Sequence, residues 1–234
     1  MANYTAAHSA GRVGDTVAGP ARINQAGMLV PFPFLTQLAL EGRVFMAGHG
    51  LEETATDGEA SLDETTPTFV LSAPAGGTVV IPIWAECRMH AEGGAAPDIY
   101  CSYVGVDRSS MTKTDLDVVP VGRLTANATS SKALAAKTVS AVTAITSAQT
   151  VLLGRRANIL DNIISAEMVT TLASEETLER NTLAIKFPFW QEFGGAFALY
   201  QGQGIMFHTA TGTSDSTYSI SFMWAELPSS VYVP

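Results

Sequence analysis

The chain has 234 residues, with 13 lysines and arginines against 22 aspartates and glutamates, and its formal net charge at pH 7 is −9. A surface with this balance repels nucleic-acid phosphates and anionic lipids, so the composition argues against direct binding to either. Charged residues make up only 15 % of the chain and apolar residues 47 %. This is typical of proteins that bury part of their surface against other subunits.

The N-terminal residues 1–28 differ in composition from the rest of the chain. They are rich in Ala, Gly, Ser and Thr and show no periodicity, so they cannot bury enough apolar surface to order by themselves. We predict an extended arm that lies along a neighbouring subunit, with an arm folded back on its own domain as the alternative. Residues 29–234 are long enough to form one β domain without disulfides or metal ions.

Two further features bear on where the protein is made. The first residues lack a basic start followed by an apolar core, so we expect no signal peptide and synthesis in a cytoplasm. The chain contains no apolar run of about 18 residues, so we expect no membrane span and no membrane partner.

The first predicted elements are short. Residues 30–35 contain two prolines, which interrupt ladder hydrogen bonding and predict an edge strand or an extended docked segment. Residues 38–46 and 68–72 predict short strands. Residues 51–64 are acidic and contain no basic residue, which predicts a solvated loop. A calcium loop is the alternative, because carboxylate oxygens suit Ca²⁺, but the spacing matches no EF-hand.

Two longer strands are predicted in the middle of the chain, over residues 78–90 and 99–106. The glycine-rich segment 93–98 between them predicts a β-hairpin. In the first of these strands Trp84, Glu86 and Arg88 share a face, and the two charged residues are expected to face solvent or a partner. The opposite face is apolar and comprises Val79, Ile81, Ile83, Ala85, Cys87 and Met89.

Residues 109–180 interrupt this pattern and are interpreted as an insertion. Residues 109–150 are rich in Ala, Thr, Ser and Val, and over residues 139–151 apolar residues recur with a period of three, which fits neither strand nor helix. Their β-branched content favours extended structure. Residues 155–180 predict a helix, because an apolar stripe follows helical spacing at Ile159, Leu160, Ile163, Ile164, Met168 and Leu172.

Strand character returns over residues 183–190 and is clearest at the C-terminal end. Tyr218, Ile220, Phe222 and Trp224 alternate with Ser219 and Ser221, which predicts a strand half-buried on its aromatic face. A second alternating run over residues 205–209 precedes it across a Gly/Ser/Asp turn, and together the two predict a β-hairpin. The fold class predicted is all-β: an antiparallel β-sandwich or jelly roll with one helical insertion and an extended N-terminal arm.

None of the patterns that carry chemistry is complete. Ser110 and Lys113 match the Ser-x-x-Lys pattern of some acyl-transfer enzymes, but the helix and partner motifs of that pattern are missing. No glycine-rich phosphate loop occurs. We therefore predict a protein that is not an enzyme, with no catalytic, cofactor-binding or metal-binding residues and no cofactor. The histidines have no metal-binding spacing: His8, His49, His90 and His208.

Two groups of residues leave alternatives open. Cys87 and Cys101 are predicted to be buried free thiols, with a disulfide across a hairpin as the alternative. Four aromatic residues are predicted to belong to the core, with a sugar-binding face as the alternative: Trp84, Trp190, Phe222 and Trp224.

Three segments make the chain resemble the jelly-roll structural proteins of virus and bacteriophage particles. They are the arm through Gly27, the strand TVVIPIWAECRMHAEGG and the closing run SISFMWAELP. The resemblance implies a capsid, decoration or collar protein of the virion that is made in the host cytoplasm. It further implies homotrimers or larger rings that exchange arms and contact other particle proteins.

The acidic charge favours an outward-facing decoration or cement role over a shell protein that touches packaged genome. The insertion at 109–180 is not part of the bare fold and would form an exposed second lobe. The alternative from another class is a trimeric carbohydrate- or receptor-binding β-sandwich protein. A third hypothesis is an enzyme on a β-sandwich, which a metal found in the purified protein would support.

Overall fold

Two antiparallel β-sheets make up most of the described part of the chain. The computed structural model describes residues 34–50, 54–59, 61–91, 98–105, 111–121, 130–140, 150–156, 182–187, 197–210 and 216–231. The elements in chain order are a helix α1 (Phe34–Leu40) and the strands β1 (Val44–His49), β2 (Thr56–Asp57), β3 (Phe69–Ser72), β4 (Thr78–Ala91), β5 (Asp98–Val104), β6 (Thr112–Asp115), β7 (Val118–Pro120), β8 (Leu134–Ser140), β9 (Thr150–Arg156), β10 (Thr182–Lys186), β11 (Gly204–Ala210) and β12 (Thr217–Pro228), followed by a 3-10 turn (Ser229–Val231).

The strands divide between sheet I and sheet II. Sheet I has the order β10-β4-β12-β1-β7, with β2 paired to the start of β12, and sheet II has the order β6-β8-β3-β11-β5-β9. All of these strand pairings are antiparallel. The predicted all-β class with an antiparallel sandwich is confirmed.

The main core lies between the inner faces of the two sheets. The predicted aromatic face of β12 supplies Tyr218, Ile220, Phe222 and Trp224, all 2 % exposed or less. The ring of Phe222 meets Phe207 of β11 edge-on at 5.9 Å between centroids, which joins sheet I to sheet II. Each such apolar side chain contributes about 1.5–3 kcal/mol through burial.

Both predicted hairpins are wrong. The strand β11 belongs to sheet II and β12 to sheet I, and likewise β4 belongs to sheet I and β5 to sheet II. The chain therefore crosses from one sheet to the other between these strands. Alternation shows which residues share a face, but two strands that both bury one face can lie opposite each other as well as side by side.

The predicted apolar face of β4 is split by a β-bulge. Met223 pairs with Trp84 and Trp224 with Pro82, so Ile83 is an extra residue on β4. Ala85, Cys87 and Met89 face the core between the sheets. Val79 and Ile81 instead pack on the outer face, in a cluster that also contains Leu38 of α1.

The segment before β1 is a helix rather than the extended structure and strand that were predicted there. Leu38 of α1 is fully buried on sheet I. Gly42, with φ +70°, ends the helix: its N–H donates to the carbonyl of Ala39 at 3.0 Å, and that of Arg43 to Leu38 at 2.9 Å. This pair of bonds is a Schellman motif, in which glycine supplies the left-handed residue. No described helix has the length and hydropathy that a membrane crossing needs.

Much of the region predicted as an insertion, residues 109–180, instead contributes strands to the two sheets. The strand β7 extends sheet I beyond β1, and β8 and β6 extend sheet II beyond β3. Arg155 and Arg156, at the start of the predicted helix, are strand residues of β9. The rest of that helix, residues 157–180, and the predicted arm over residues 1–28 lie outside the described residues.

Candidate functional site

A polar depression lies on the outer face of sheet I, and we call it the outer-face groove. Three strands form it: the end of β1, the middle of β12 and the second half of β4. It encloses about 970 Å³ and is lined by Gly48, His49, Gly50, Thr54, Glu86, Arg88, Met89, His90, Ser219, Ile220 and Ser221.

Strand alternation and register explain the composition of the groove. On β4 the core takes Ala85, Cys87 and Met89, so Glu86, Arg88 and His90 point to the other face. Across the neighbouring strand Glu86 is in register with Ser221 and Arg88 with Ser219. Small residues beside long polar ones produce a recess with charged groups along one side.

Gly50 shapes the other side of the groove. Its φ of +89° is one that residues with a side chain rarely adopt, and a Cβ there would lie 3.0 Å from both Ser219 Cα and the Tyr218 carbonyl oxygen. The chain can leave β1 this close to β12 because residue 50 is glycine. Gly48 permits a similar close approach, since a Cβ there would lie 3.3 Å from the Ile220 carbonyl oxygen.

The polar groups of the groove are unevenly satisfied. His90 Nε2 lies 2.7 Å from Ser219 Oγ, which fixes the imidazole over the neighbouring strand. The ion pairs of the described residues include Arg43–Glu41, Lys113–Asp115 and Arg155–Asp98. The charged residues of the groove, Glu86 and Arg88, take part in none of these three. Arg88 Nε is buried and has no acceptor within the described part of the chain. A buried donor left in this state costs about 1–3 kcal/mol.

His49, at the end of β1, is among the residues that line the groove, and its side chain points toward sheet II. Lys137 of β8 donates from Nζ to His49 Nε2 at 2.7 Å, so this contact connects sheet II to sheet I. Burial lowers the pKa of His49, the positive charge of Lys137 lowers it further, and a hydrogen bond with the Thr54 backbone opposes both. The imidazole is therefore neutral at pH 7 and accepts the lysine bond.

The structure places two of the four histidines beside the outer-face groove. His49 and His90 line the groove, His208 is 4 % exposed in β11 of sheet II, and His8 lies outside the described residues. Within the described ranges no three His, Cys, Asp or Glu side chains are grouped as metal ligands. Sequence spacing missed that both residues lie beside the groove, because this depends on the pairing of β12 with both β1 and β4. Their side chains take opposite faces of sheet I, since His49 alternates with the core residues Phe45 and Ala47 whereas His90 points outward.

The acidic stretch over residues 51–64 is partly tied down by backbone hydrogen bonds. Glu59 N donates to the Thr209 carbonyl at 2.7 Å, and Gly58 N donates to the Ser216 carbonyl at 2.8 Å. Asp63 is exposed and accepts bonds from the backbone and hydroxyl of Thr65. The described part of the acidic stretch therefore links the end of β11 to the start of β12.

The core interpretation is confirmed for Phe222 and Trp224, both 0 % exposed. Trp84 is half-buried on the outer face, next to Glu86 along the strand, and Trp190 lies outside the described residues. Cys87 and Cys101 are buried free thiols in opposite sheets, and burial raises the pKa of both. The disulfide alternative is wrong.

The acyl-transfer pattern also lacks its structural setting. Lys113 lies in β6, a strand, and bonds Asp115, whereas the pattern requires a helix. Ser110 lies outside the described residues.

Comparisons with protein-family models, with curated proteins and with solved structures found no match to the chain. The strand order and the outer-face groove are therefore the observations on which a function can be argued.

Proposed function

We propose that the chain is a structural protein of a virus or bacteriophage particle, a capsid, decoration or collar component, which acts through contacts between subunits. The observation that carries this proposal is the order of the strands in the two sheets. It supports a jelly roll, the fold of many viral capsid proteins.

The order is clearest when the added strands β2 and β6–β8 are set aside. Eight strands remain, and numbering them from first to eighth gives the order 6-3-8-1 in sheet I and 2-7-4-5 in sheet II. The first strand pairs with the eighth, the second with the seventh, the third with the sixth and the fourth with the fifth. One long antiparallel ribbon wound into two layers has these pairings, and two Greek keys describe the same path.

The outermost strands offer surface for other subunits. Val119 on β7 is 60 % exposed, and Val151 and Leu152 on β9 are 57 % and 59 % exposed. Edge strands also carry backbone groups that no neighbouring strand satisfies, so apolar side chains there favour pairing with another chain. The net charge of −9 supports a decoration or cement role, away from packaged nucleic acid.

The mass of the purified full-length chain in solution tests the proposal. By light scattering behind a sizing column, we expect three times the chain mass of 24.6 kDa or more. Deleting residues 1–28 should leave a folded domain but reduce that mass, because the proposed arm exchange is lost. A full-length chain that stays monomeric would overturn the structural role.

A pair of matched variants locates the contact. Leu152→Asp places a charge on an exposed edge strand and should reduce the mass. Leu62→Asp changes a residue that is 48 % exposed in the acidic stretch and should leave the mass unchanged. Equal effects of the two variants would argue against edge-strand contacts.

A further inference from the structure

The outer-face groove holds two opposite charges that do not neutralise each other. Glu86 and Arg88 are both half-buried, two residues apart on one face of β4. Neither belongs to an ion pair found among the described residues. Because both side chains are half-buried and lack an ion-pair partner within the described part of the chain, a ligand that supplies hydrogen bonds to both would be bound favourably.

The charges limit the kind of ligand. An anion attracted to Arg88 would also meet the carboxylate of Glu86, and a cation attracted to Glu86 would meet the guanidinium. A neutral hydroxyl group can donate to the carboxylate and accept from the guanidinium, so a ligand with several hydroxyls satisfies both side chains at once.

The rest of the lining also suits hydroxyl groups. Ser221 presents a hydroxyl that can donate or accept, and the Ser219 hydroxyl keeps acceptor capacity beside its bond with His90. These two hydroxyls add hydrogen-bonding capacity beside the charges, and a zwitterion that engages only the charges would leave that capacity unused.

The size of the groove is that of a small-molecule site. Its volume of about 970 Å³ is at the upper end of the range for ligand pockets. Gly48 and Gly50 allow β1 and the residue after it to lie close to β12 along one side of the groove. The groove is recessed, so a ring-sized molecule reaches Glu86 and Arg88 more easily than a flat protein surface does.

We propose that the outer-face groove is a binding site for a neutral saccharide, whose hydroxyl groups donate hydrogen bonds to Glu86 and accept them from Arg88. This site is separate from the subunit contacts of the edge strands. It does not depend on the proposed particle role.

The test is a titration of the full-length chain with free neutral saccharides: glucose, galactose, mannose and N-acetylglucosamine. The readout is the ring proton signals of the four histidines, with His90 assigned through His90→Gln. At least one sugar should shift the His90 signal in a saturable way. The His208 signal, from the opposite sheet, should not move. If none of these sugars shifts His90 at about 10 mM, a concentration at which even weak sites fill, the proposal is overturned.

Variants then locate the site for the sugar that binds. Arg88→Ala and Glu86→Ala should each weaken binding by about tenfold or more, because each removes hydrogen bonds to the ligand. Glu86→Gln should retain most of the affinity, since its amide still bonds a hydroxyl. Asp117→Asn and Lys132→Ala change exposed residues outside the groove and should bind as the unchanged chain does. Urea midpoints establish that each variant is folded.

Salt separates a neutral ligand from a charged one. Between about 50 and about 500 mM NaCl the affinity for a neutral sugar should change less than about twofold, because screening acts on charge pairs. A much larger loss, or equal binding by Arg88→Ala and the unchanged chain, would overturn the assignment.

Discussion

The indole Nε1–H of Trp224 donates a hydrogen bond of 2.9 Å to the carboxylate of Glu226, two residues further along the same strand. The same carboxylate accepts from Ser131 Oγ at 2.5 Å and from the backbone N–H groups of Lys132 and Ala133 at 2.9 Å and 3.1 Å. Glu226 is 6 % exposed. It therefore ties β12 of sheet I to the segment that enters β8 of sheet II, and its buried charge is satisfied by four donor groups.

Removal of this carboxylate should destabilise the fold. Glu226→Ala leaves the four donors without an acceptor, and we expect a loss of about 3–5 kcal/mol in the free energy of unfolding. Glu226→Gln keeps the shape but turns an N–H₂ toward a backbone donor, so a loss of about 1–3 kcal/mol is expected. Urea denaturation measures both. Asp117→Asn, at an exposed position, should change stability by less than about 0.5 kcal/mol, and an equally small effect at position 226 would contradict the linking role.

The two tryptophans of sheet I should differ in their contribution to stability. Trp224 is fully buried and stacks on Phe45 at 6.1 Å, so Trp224→Ala should cost about 3–5 kcal/mol. Trp84 is half-buried on the outer face, so Trp84→Ala should cost less than about 2 kcal/mol. Thermal and urea unfolding of the two variants provide the comparison. A cost below about 1 kcal/mol at position 224 would contradict its place in the core.

Alternation in the sequence predicted the inner face of β12 correctly but not the sheet partners. Phe222 and Trp224 had to share a face, because successive strand side chains point to opposite sides. Whether β11 lies beside β12 or across the core depends on contacts between distant segments. The polar turn between them is compatible with both arrangements, and the contact of Phe207 with Phe222 occurs across the core.

Two local features could not be predicted from periodicity. The bulge at Ile83 moves Val79 and Ile81 to the outer face, and in a continuous apolar run nothing marks the extra residue except the neighbouring proline. The seven residues of α1 contain too few turns to show a helical period. The helix is stabilised instead by Leu38, buried on sheet I, and by its glycine end at Gly42.

The groove was predictable in part. Glu86 and Arg88 follow from the alternation of β4, and the sequence indicated that they face solvent or a partner. Ser219 lies beside Arg88 because β12 pairs with β4, and His49 lies beside the groove because β12 also pairs with β1. These residues are separated by more than 100 positions in the chain, and no single-sequence pattern encodes such a pairing.

Stability should fall when the protein is acidified. Burial of His208 lowers its pKa to about 4, although the backbone and the negative charge of Asp63 partly oppose this. In the unfolded chain His208 takes up a proton near pH 6.5, whereas in the folded chain it stays neutral until the pH is near 4. The stabilisation is therefore complete above pH 6.5 and is lost as the pH falls from 6.5 to about 4, by about 3 kcal/mol in total.

The urea midpoint between pH 7 and pH 4.5 measures this loss. His208→Gln should flatten the pH dependence, with some slope remaining because the pKa of His49 is also lowered. If the unchanged chain and His208→Gln lose stability in parallel over this range, the buried imidazole is not its source.

Alanine substitutions at three glycines should separate the cost of backbone strain from the cost of steric contact. Gly50 has φ +89° and a Cβ there would lie 3.0 Å from the backbone of β12, Gly77 has φ +79° with open space around it, and Gly76 has neither feature. Gly76→Ala should therefore be neutral or slightly stabilising, by less than about 1 kcal/mol. Gly77→Ala should cost about 1–2 kcal/mol from strain alone.

Gly50→Ala should be the most damaging of the three substitutions, by about 2–4 kcal/mol, because the strained backbone and the close contact with Ser219 add. Urea unfolding of the three variants gives the order directly. Gly50→Ala should also move the His90 ring signal, because a shift of Ser219 displaces its partner at 2.7 Å. Equal costs at positions 50 and 77 would mean that the chain is not held against β12 at this point. The outer-face groove would then lack the rigid side that the glycine provides.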